Sequence, residues 1–279
     1  MELKKILTVQ DISCVGKCSL TAALPVLSAM GIEACVIPTA VLSTHTGGFK
    51  DYTYRDLTED IVPITEHWKK YNITFDSIYT GYLGSIRQIQ IMKNLFKDFG
   101  NASVFVDPVM GDNGKMYAGF TPEFAKEMKS LCETADVIAP NMTEAALLLG
   151  FEYDGGKYSE KRAKDVVREL AKTGAKKVIL TGVSFNDSEQ GAAFYDRETD
   201  IFGCCMGENI NGRFHGTGDL FSSAAAGALV LGKPLDEACR IAVDFVLNSI
   251  KATLDCAKTH WYGVNFEPAL PTLWQSLKK

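Results

Sequence analysis

The stretch Gly216-Thr217-Gly218-Asp219 stands directly before a run of small and apolar residues, 220–231, that predicts a buried helix. Glycines at a helix start leave backbone N–H groups free, and the positive end of the helix dipole points at the same place. Such a site binds anions. A carboxylate there would repel a phosphate, so Asp219 is better explained as a base that takes a proton from an attacking hydroxyl. The stretch therefore predicts phosphoryl transfer to an alcohol.

Strand-like apolar runs alternate with helical patterns along most of the chain, which predicts an α/β fold. Its central sheet would be mainly parallel, with helices on both faces. The predicted strands are 6–9, 34–37, 77–79, 104–106, 137–138 and 177–180, and the predicted helices are 19–30, 86–99, 122–131, 144–149, 159–173 and 220–231. Segments 192–195 and 201–205 predict an appended antiparallel hairpin. Since no linker or low-complexity tract divides the chain, residues 1–279 are expected to form a single domain.

Composition excludes several classes of protein. The 279 residues are 46% hydrophobic and 23% charged, with a formal net charge of −5, as in an ordinary globular protein. Without clustered basic residues, a nucleic-acid surface is not expected. No apolar run approaches the roughly 20 residues that span a bilayer. The apolar patch 6–9 is too short for a signal peptide, so we expect a cytoplasmic protein that binds neither nucleic acid nor membrane.

The eight cysteines do not form a recognisable metal or redox motif. None belongs to a C-x-x-C pair, and no histidine is spaced to complete a zinc site. Most lie in apolar stretches, where cysteine behaves as a small hydrophobic residue. We therefore expect structural thiols in a reducing compartment.

Two common nucleotide motifs are excluded. Segment 227–233 fits G-x-x-x-x-G-K, but Pro234 replaces the required Ser or Thr, and the segment ends a helix instead of joining a strand to one. No G-x-G-x-x-G follows the first predicted strand. A nucleotide would therefore need a phosphate-binding site elsewhere in the chain.

Polar residues follow three of the predicted strands: Asp107 and Asp112 after one, Asn141 and Glu144 after the next, and Thr181 after a third. The carboxyl ends of parallel strands open onto one edge of the sheet, where ligands bind in open α/β folds. Carboxylates beside an anion cradle suit hydrated Mg²⁺ and polyphosphate. Singly, each residue could merely end a strand or cap a helix. Their convergence favours a functional site.

The opposite half of this site is predicted from the first third of the chain. A loop after the second strand carries His45 and Thr46, the segment after the third strand carries Tyr82, and Asp11 follows the first strand. A lone histidine is more often a structural loop residue. Here it lies among hydrogen-bonding residues where a small polar ligand would bind.

Together these segments resemble the pyridoxal kinase family, the vitamin B6 kinases of the ribokinase-like superfamily. The resemblance covers nearly the whole chain, and its specific parts are 43–47, 80–85, 107–112 with 114–117, and 140–144. Segment 216–219 is shared with many sugar and pyrimidine kinases, whereas segments 80–85 and 107–112 are far more specific to the pyridoxal kinase family. The resemblance implies a three-layer ribokinase-like fold.

The resemblance also implies an activity: ATP-dependent phosphorylation of the 5′-hydroxymethyl group of pyridoxal, pyridoxine or pyridoxamine in salvage of pyridoxal phosphate. Asp219 would be the general base, with an anion hole formed by the N–H groups of Gly216, Thr217 and Gly218. The resemblance further implies that Asp107, Asp112 and Glu144 hold Mg²⁺ largely through water. Asn141 and Thr181 would lie near the phosphates. His45, Thr46 and Tyr82 would contact the pyridine ring. Family members commonly form homodimers, and many respond to a monovalent cation such as K⁺.

Two positions depart from the family pattern. Asp11 stands where the family usually has a serine that touches the ring, and Ala139 where it often has threonine. An acid near the ring could pair with a protonated pyridine nitrogen or with the amine of pyridoxamine. This predicts that pyridoxamine is preferred over pyridoxal. Alternatively, Asp11 is structural and bonds to N–H groups of its own turn.

Three alternative functions are weaker. A hydroxymethylpyrimidine kinase of thiamin synthesis tends to carry Cys where Asp219 stands and lacks the 80–85 match. A ribokinase-type sugar kinase usually carries an N-terminal double glycine that is not found here. A non-catalytic protein that binds pyridoxal phosphate would need no base. For an enzyme, segment 206–214 is the predicted flap over the nucleotide.

Overall fold

A central β-sheet dominates the computed structural model, which describes residues 3–155, 158–254 and 260–278. Its strands are β1 (Lys5–Val15), β2 (Glu33–Thr44), β3 (Tyr54–Asp56), β4 (Ser77–Thr80), β5 (Ser103–Val106), β8 (Val137–Ile138), β9 (Lys177–Val183), β10 (Glu189–Asp196) and β11 (Ile201–Glu208). Two further strands, β6 (Gly111–Asp112) and β7 (Lys115–Met116), pair with each other in a small antiparallel sheet.

The strand order is β11-β10-β9-β8-β5-β4-β1-β2-β3. The six strands from β9 to β2 are parallel, while β3 at one edge and the β10–β11 hairpin at the other are antiparallel. The predicted fold class is therefore confirmed, and the hairpin expected at 192–195 and 201–205 is β10–β11. The single domain stays a prediction.

Helices cover both faces of the sheet. They are α1 (Leu20–Ala29), α2 (Thr58–Lys70), α3 (Ile86–Asp98), α4 (Pro122–Cys132), α5 (Met142–Leu149), α6 (Glu160–Lys172), α7 (Thr217–Val230), α8 (Leu235–Thr253) and α9 (Leu270–Ser276), with a 3₁₀ turn at Glu267–Ala269. No helix among the described residues is long and apolar enough to cross a membrane.

Alternating side chains of the central strands build two separate cores. In β1, Leu7 and Val9 pack into the core of α2 to α6, while Ile6 faces the core of α1, α7 and α8. In β5, Phe105 faces the second core and its neighbours on either side the first. Successive residues of a strand point to opposite faces, so this pattern produces the three-layer arrangement.

The first two strands are longer than predicted. β1 continues to Val15, with an irregular register between Gln10 and Ile12, and β2 continues to Thr44. Asp11 therefore lies within a strand, which corrects the prediction that it follows one. The full length of β1 was not predicted, because polar residues interrupt the apolar run after Val9.

Candidate active site

A cavity of about 910 Å³ opens at the carboxyl ends of the parallel strands. It is lined by every residue predicted for the anion cradle, the nucleotide and the metal: Asp107, Asp112, Asn141, Glu144, Thr181, Gly216, Thr217, Gly218 and Asp219. The four predicted ring contacts, Asp11, His45, Thr46 and Tyr82, are outside this lining. The structure thus brings the nucleotide half of the predicted site together in one space.

The cradle forms at the start of α7, where Gly216 is the N-cap residue in a left-handed conformation with φ of 82°. A Cβ atom at this position would lie 1.9 Å from the backbone oxygen of Lys17, so only glycine fits. A Cβ at Gly218 would meet nothing within 4 Å, because that residue faces open cavity. The open space at Gly218 lets a ligand approach the start of α7 closely, as an anion-binding site requires.

Asp219 lies in the first turn of α7 and is partly exposed to the cavity. The backbone N–H of Ser19 is near its carboxylate, and Asp219 takes part in none of the ion pairs found among the described residues. Burial raises the pKa of its carboxyl to about 7, the Ser19 N–H opposes this, and the charge of Asp11 adds to it. Its carboxylate can therefore exchange a proton near neutral pH.

We expect kcat to fall as the pH drops through about 7, because Asp219 with its raised pKa would then be protonated and unable to act as a base. The measurement is kcat at saturating ATP and vitamer between pH 5.5 and 9. The Asp219→Asn variant serves as control and should lack this acidic limb. A wild-type profile that stays flat between pH 6 and 8 would contradict the role of this carboxylate.

Two further acids lie deep in the cavity. Asp107 follows β5 and accepts a 2.7 Å hydrogen bond from Ser222 Oγ, and Glu144 lies in the first turn of α5. Burial raises the pKa of both carboxyls, with a smaller increase from Asp219 at Asp107 and from Asp107 at Glu144. Neighbouring buried acids favour a cation between or beside them.

Glu144 also has a structural role. It completes a capping box with Asn141: its carboxylate accepts from the N–H groups of Asn141 at 2.8 Å and Met110 at 3.1 Å. In return Asn141 Oδ1 accepts from the Glu144 N–H at 3.0 Å. Glu144 therefore both caps helix α5 and lines the cavity.

These acids suit a hydrated cation better than a directly ligated one. Within the described ranges, no three His, Cys, Asp or Glu side chains converge closely enough to hold a metal ion. Mg²⁺ usually keeps several waters and binds through one or two carboxylates and substrate phosphates. Asp107 and Glu144 fit that mode.

The Asp107→Asn variant should be more stable than wild type at pH 8 without Mg²⁺, with an advantage that shrinks towards pH 5. A folded-state pKa raised by burial means that stability is lost as the pH rises through that pKa, and asparagine removes this ionisation. Its amide oxygen can still accept from Ser222. Thermal unfolding from pH 5 to 9 with EDTA measures this, with exposed Asp165→Asn as control. An advantage independent of pH would contradict it.

The other predicted phosphate-side residues are held by local bonds. Both carboxylate oxygens of Asp112 accept from Asn113, at 2.8 Å from its N–H and 2.7 Å from Nδ2. Asn141 Nδ2 donates to the carbonyl of Gly111 at 2.9 Å. Thr181 pairs with Asn141 as an isolated β-bridge and lines the cavity. These bonds fix the orientations of the Asp112 and Asn141 side chains.

The predicted ring-contact residues lie outside the cavity lining. His45 Nδ1 accepts from the Gly47 N–H at 2.9 Å, so Nε2 carries the proton and donates to the Tyr262 carbonyl at 2.5 Å. Both ring nitrogens are therefore used within the protein. Thr46 is exposed, and Tyr82 stacks on Phe120 with ring centroids 5.7 Å apart.

Asp11 is 5% exposed, and its carboxylate accepts a hydrogen bond from Ser13 Oγ at 3.0 Å, with its own N–H and the Ser19 side chain nearby. Burial raises the pKa of its carboxyl, and these groups oppose the shift. Asp11 also raises the pKa of Asp219, so the two carboxyls are near neighbours. The hydrogen bond from the Ser13 hydroxyl was not predicted from the sequence.

The wall opposite the strand ends comes from segments that sequence reasoning missed or placed differently. Helix α8 contributes an apolar surface of Val243, Val246, Leu247 and Ile250. An apolar stripe at helical spacing in 235–253 could have revealed it. The predicted flap 206–214 starts too early, because β11 runs to Glu208. Residues 209–214 form the loop over the cavity.

A parallel sheet with an anion cradle at its carboxyl edge and an acid in the adjoining helical turn defines a kinase of the ribokinase-like class. The family model described as phosphomethylpyrimidine kinase matches residues 15–263. The chain belongs to this family.

Individual relatives point to the same class. A provisionally named phosphomethylpyrimidine kinase of Bacteroides thetaiotaomicron VPI-5482, solved with pyridoxal, is 38% identical, covering 98% of this chain and 96% of its own, with a TM-score of 0.92. The pyridoxal kinase of Lactobacillus plantarum is 31% identical, covering 98% of each chain, with a TM-score of 0.90. The pyridoxal kinase of Dictyostelium discoideum is 26% identical over 275 residues, 91% of this chain and 88% of its own. The predicted resemblance to pyridoxal kinases is confirmed.

Proposed function

We propose that this protein is an ATP-dependent kinase that phosphorylates the 5′-hydroxymethyl group of a B6 vitamer in salvage of pyridoxal phosphate. The observation that carries the proposal is Asp219, an acid with a pKa of about 7 that adjoins an open N–H cradle on a large cavity. The pyridoxal bound to the Bacteroides relative and the names of the other relatives support the vitamer as substrate.

In this mechanism Asp219 removes the proton of the vitamer hydroxyl as the oxygen attacks the γ-phosphorus of ATP. The N–H groups of Gly216, Thr217 and Gly218 and the dipole of α7 stabilise the charge on the transferred phosphoryl group. Asp112, Asn141 and Thr181 would face the remaining phosphates. Phosphoryl transfer depends mainly on positioning and charge neutralisation, which these fixed groups supply.

Asp107 and Glu144 would hold Mg²⁺ largely through water. The ion would neutralise phosphate charge. The loop 209–214 would close over the nucleotide and exclude water, since otherwise ATP would be hydrolysed. A K⁺ requirement, a homodimer and a cytoplasmic location are further proposals, supported by the family resemblance.

Kinase assays with Mg-ATP against pyridoxal, pyridoxine, pyridoxamine and hydroxymethylpyrimidine test the proposal. We expect the three vitamers to be phosphorylated with higher kcat/KM than hydroxymethylpyrimidine. The family description makes hydroxymethylpyrimidine kinase the second candidate, and a preference for that substrate would establish it. Vitamer binding without any phosphorylated product would instead indicate a non-catalytic binding protein.

Asp11→Ser should lower the ratio of kcat/KM for pyridoxamine over pyridoxal by about tenfold, the worth of one charge-assisted hydrogen bond. The reason is that a buried carboxylate favours a cationic amine over an uncharged aldehyde. Ser13→Ala is the matched control, because it removes a hydroxyl from Asp11 but leaves the carboxylate. An unchanged ratio in Asp11→Ser would show that Asp11 does not select the vitamer.

A further inference from the structure

Gln88 is a fully buried polar residue in helix α3, with none of its surface exposed. The other buried residues of this helix are all apolar: Ile89, Met92, Leu95 and Phe96. A buried amide without hydrogen bonds costs stability, so a glutamine in such a core persists only where its bonds are made. The partners of its amide therefore show what this side chain does.

The Gln88 amide bonds to three segments around it. Its Oε1 accepts from the Gly84 N–H at 2.7 Å. Its Nε2 donates to the Thr39 carbonyl at 3.0 Å and to Thr58 Oγ1 at 2.9 Å, which uses both N–H protons. Gln88 thus joins the segment after β4 to strand β2 and to the first residue of α2.

A second hydrogen bond from β2 holds the segment 81–85. Thr39 is itself fully buried and donates from Oγ1 to the Tyr82 carbonyl at 3.0 Å. The two bonds hold the backbone on either side of Leu83, one at the carbonyl before it and one at the N–H after it. The segment therefore cannot shift without breaking a hydrogen bond.

The position of Gly84 determines where two tyrosine rings can lie. A Cβ atom on Gly84 would be 2.7 Å from Tyr54 Oη and 3.6 Å from Oη and Cε1 of Tyr82, so both rings pack against this glycine. The Tyr82 ring also stacks on Phe120. Tyr82 follows β4, which lies between β1 and β5, so it stands at the carboxyl edge of the sheet, where ligands bind in open α/β folds.

We propose that Gln88 is a positioning residue that sets the affinity for the vitamer by holding Tyr82 in place through Gly84. Gln88 itself touches no substrate. Its amide fixes Gly84, and Gly84 together with Phe120 fixes the tyrosine ring against which the vitamer binds. A side chain that is fixed beforehand does not have to be ordered when the ligand binds. This role rests on the proposed function, since it concerns the vitamer end of the same site.

Gln88→Met should weaken vitamer binding and leave ATP binding intact. Methionine has about the length and helix propensity of glutamine but makes none of the three bonds. We expect the Kd for pyridoxal, measured by calorimetry without ATP, to rise about three- to tenfold, as for a side chain that must be ordered on binding. The Kd for ATP should stay within about twofold, because neither Gln88 nor its three partners line the nucleotide cavity.

Thr39→Val tests the same segment at its other bond. Valine nearly keeps the shape of threonine but cannot donate to the Tyr82 carbonyl, so the Kd for pyridoxal should rise by a similar factor. Thr39→Val also repeats the test should Gln88→Met fail to fold. Ser77→Ala is the matched control, because it removes a buried hydroxyl that donates to the Ser103 carbonyl at 2.9 Å, at the opposite end of β4. Its affinities for both ligands should equal those of wild type.

A double-mutant cycle separates positioning from a general loss of structure. Tyr82→Ala has no ring to position, so the further change Gln88→Met should alter its Kd for pyridoxal by less than about twofold. Full additivity of the two substitutions would overturn the proposal. An unchanged pyridoxal Kd in Gln88→Met, or in Thr39→Val where the first variant does not fold, would overturn it as well, and so would an equal rise in the Kd for ATP.

The same titrations distinguish this proposal from the proposed function. A wild-type protein that binds pyridoxal without phosphorylating it would overturn the proposed function, while the cycle would still decide whether Gln88 positions Tyr82. A wild-type protein that does not bind pyridoxal would overturn both.

Discussion

Replacing Asp219 with asparagine should lower kcat by about 10²- to 10⁴-fold, the usual contribution of a general base. Asparagine has nearly the same shape as aspartate, so the cradle should stay intact. The affinities for ATP and vitamer should therefore change little. Stopped assays for kcat, with calorimetric titration for binding, separate the two effects.

The exposed acid Asp165, paired with Lys161 on α6, provides the control. Asp165→Asn has the same change of charge far from the cavity, and its kcat should equal that of wild type. If Asp219→Asn lost no more than about threefold in kcat, the proton would have to leave by another route.

Gly216→Ala should both destabilise the fold and abolish most of the activity. A methyl group at this position would lie 1.9 Å from the Lys17 backbone oxygen, and alanine disfavours the φ of 82°. Relief of the clash must move the cradle or the loop, which we expect to cost about 2–4 kcal/mol of stability. A displaced N–H donor should reduce kcat by about 10²-fold or more.

Gly218→Ala is the informative comparison within the same tetrad. Its methyl group would project into open cavity, so the unfolding temperature should remain near that of wild type. The methyl would nevertheless occupy space meant for phosphate, and KM for ATP should rise. Equal destabilisation of both variants in thermal unfolding would contradict the distinction between a packed and an open glycine.

Local patterns predicted the parts of the fold that depend on few neighbours. The alternation of apolar runs gave the parallel sheet, and Thr121-Pro122 gave the start of α4, where Thr121 accepts from the Phe124 N–H. The β10–β11 hairpin was also predicted. Short edge strand β3 and helix α2 were missed, because β3 is exposed and α2 contains Pro63, which disfavours a helix interior.

The candidate site, like the fold, could be predicted only in part. Residues at the carboxyl ends of three strands were predicted to converge because parallel strands share one edge, and the cavity lining agrees. Asp107 and Asn141 follow β5 and β8 as predicted, whereas Thr181 lies within β9, which continues to Val183. Contacts between distant segments could not be predicted. The approach of the Lys17 backbone oxygen to Gly216 and the proximity of Asp11 to Asp219 exist only once β1, the loop after it and α7 are packed together. The roles of these residues stay predictions.

The most direct test of the central claim is phosphorus NMR of the wild-type protein with Mg-ATP and a B6 vitamer, beside Asp219→Asn under the same conditions. We predict a 5′-phosphate ester formed in step with ADP by wild type, and at least 100-fold more slowly by the variant. Release of inorganic phosphate without the ester, or equal ester formation by both proteins, would contradict transfer to the vitamer hydroxyl with Asp219 as base.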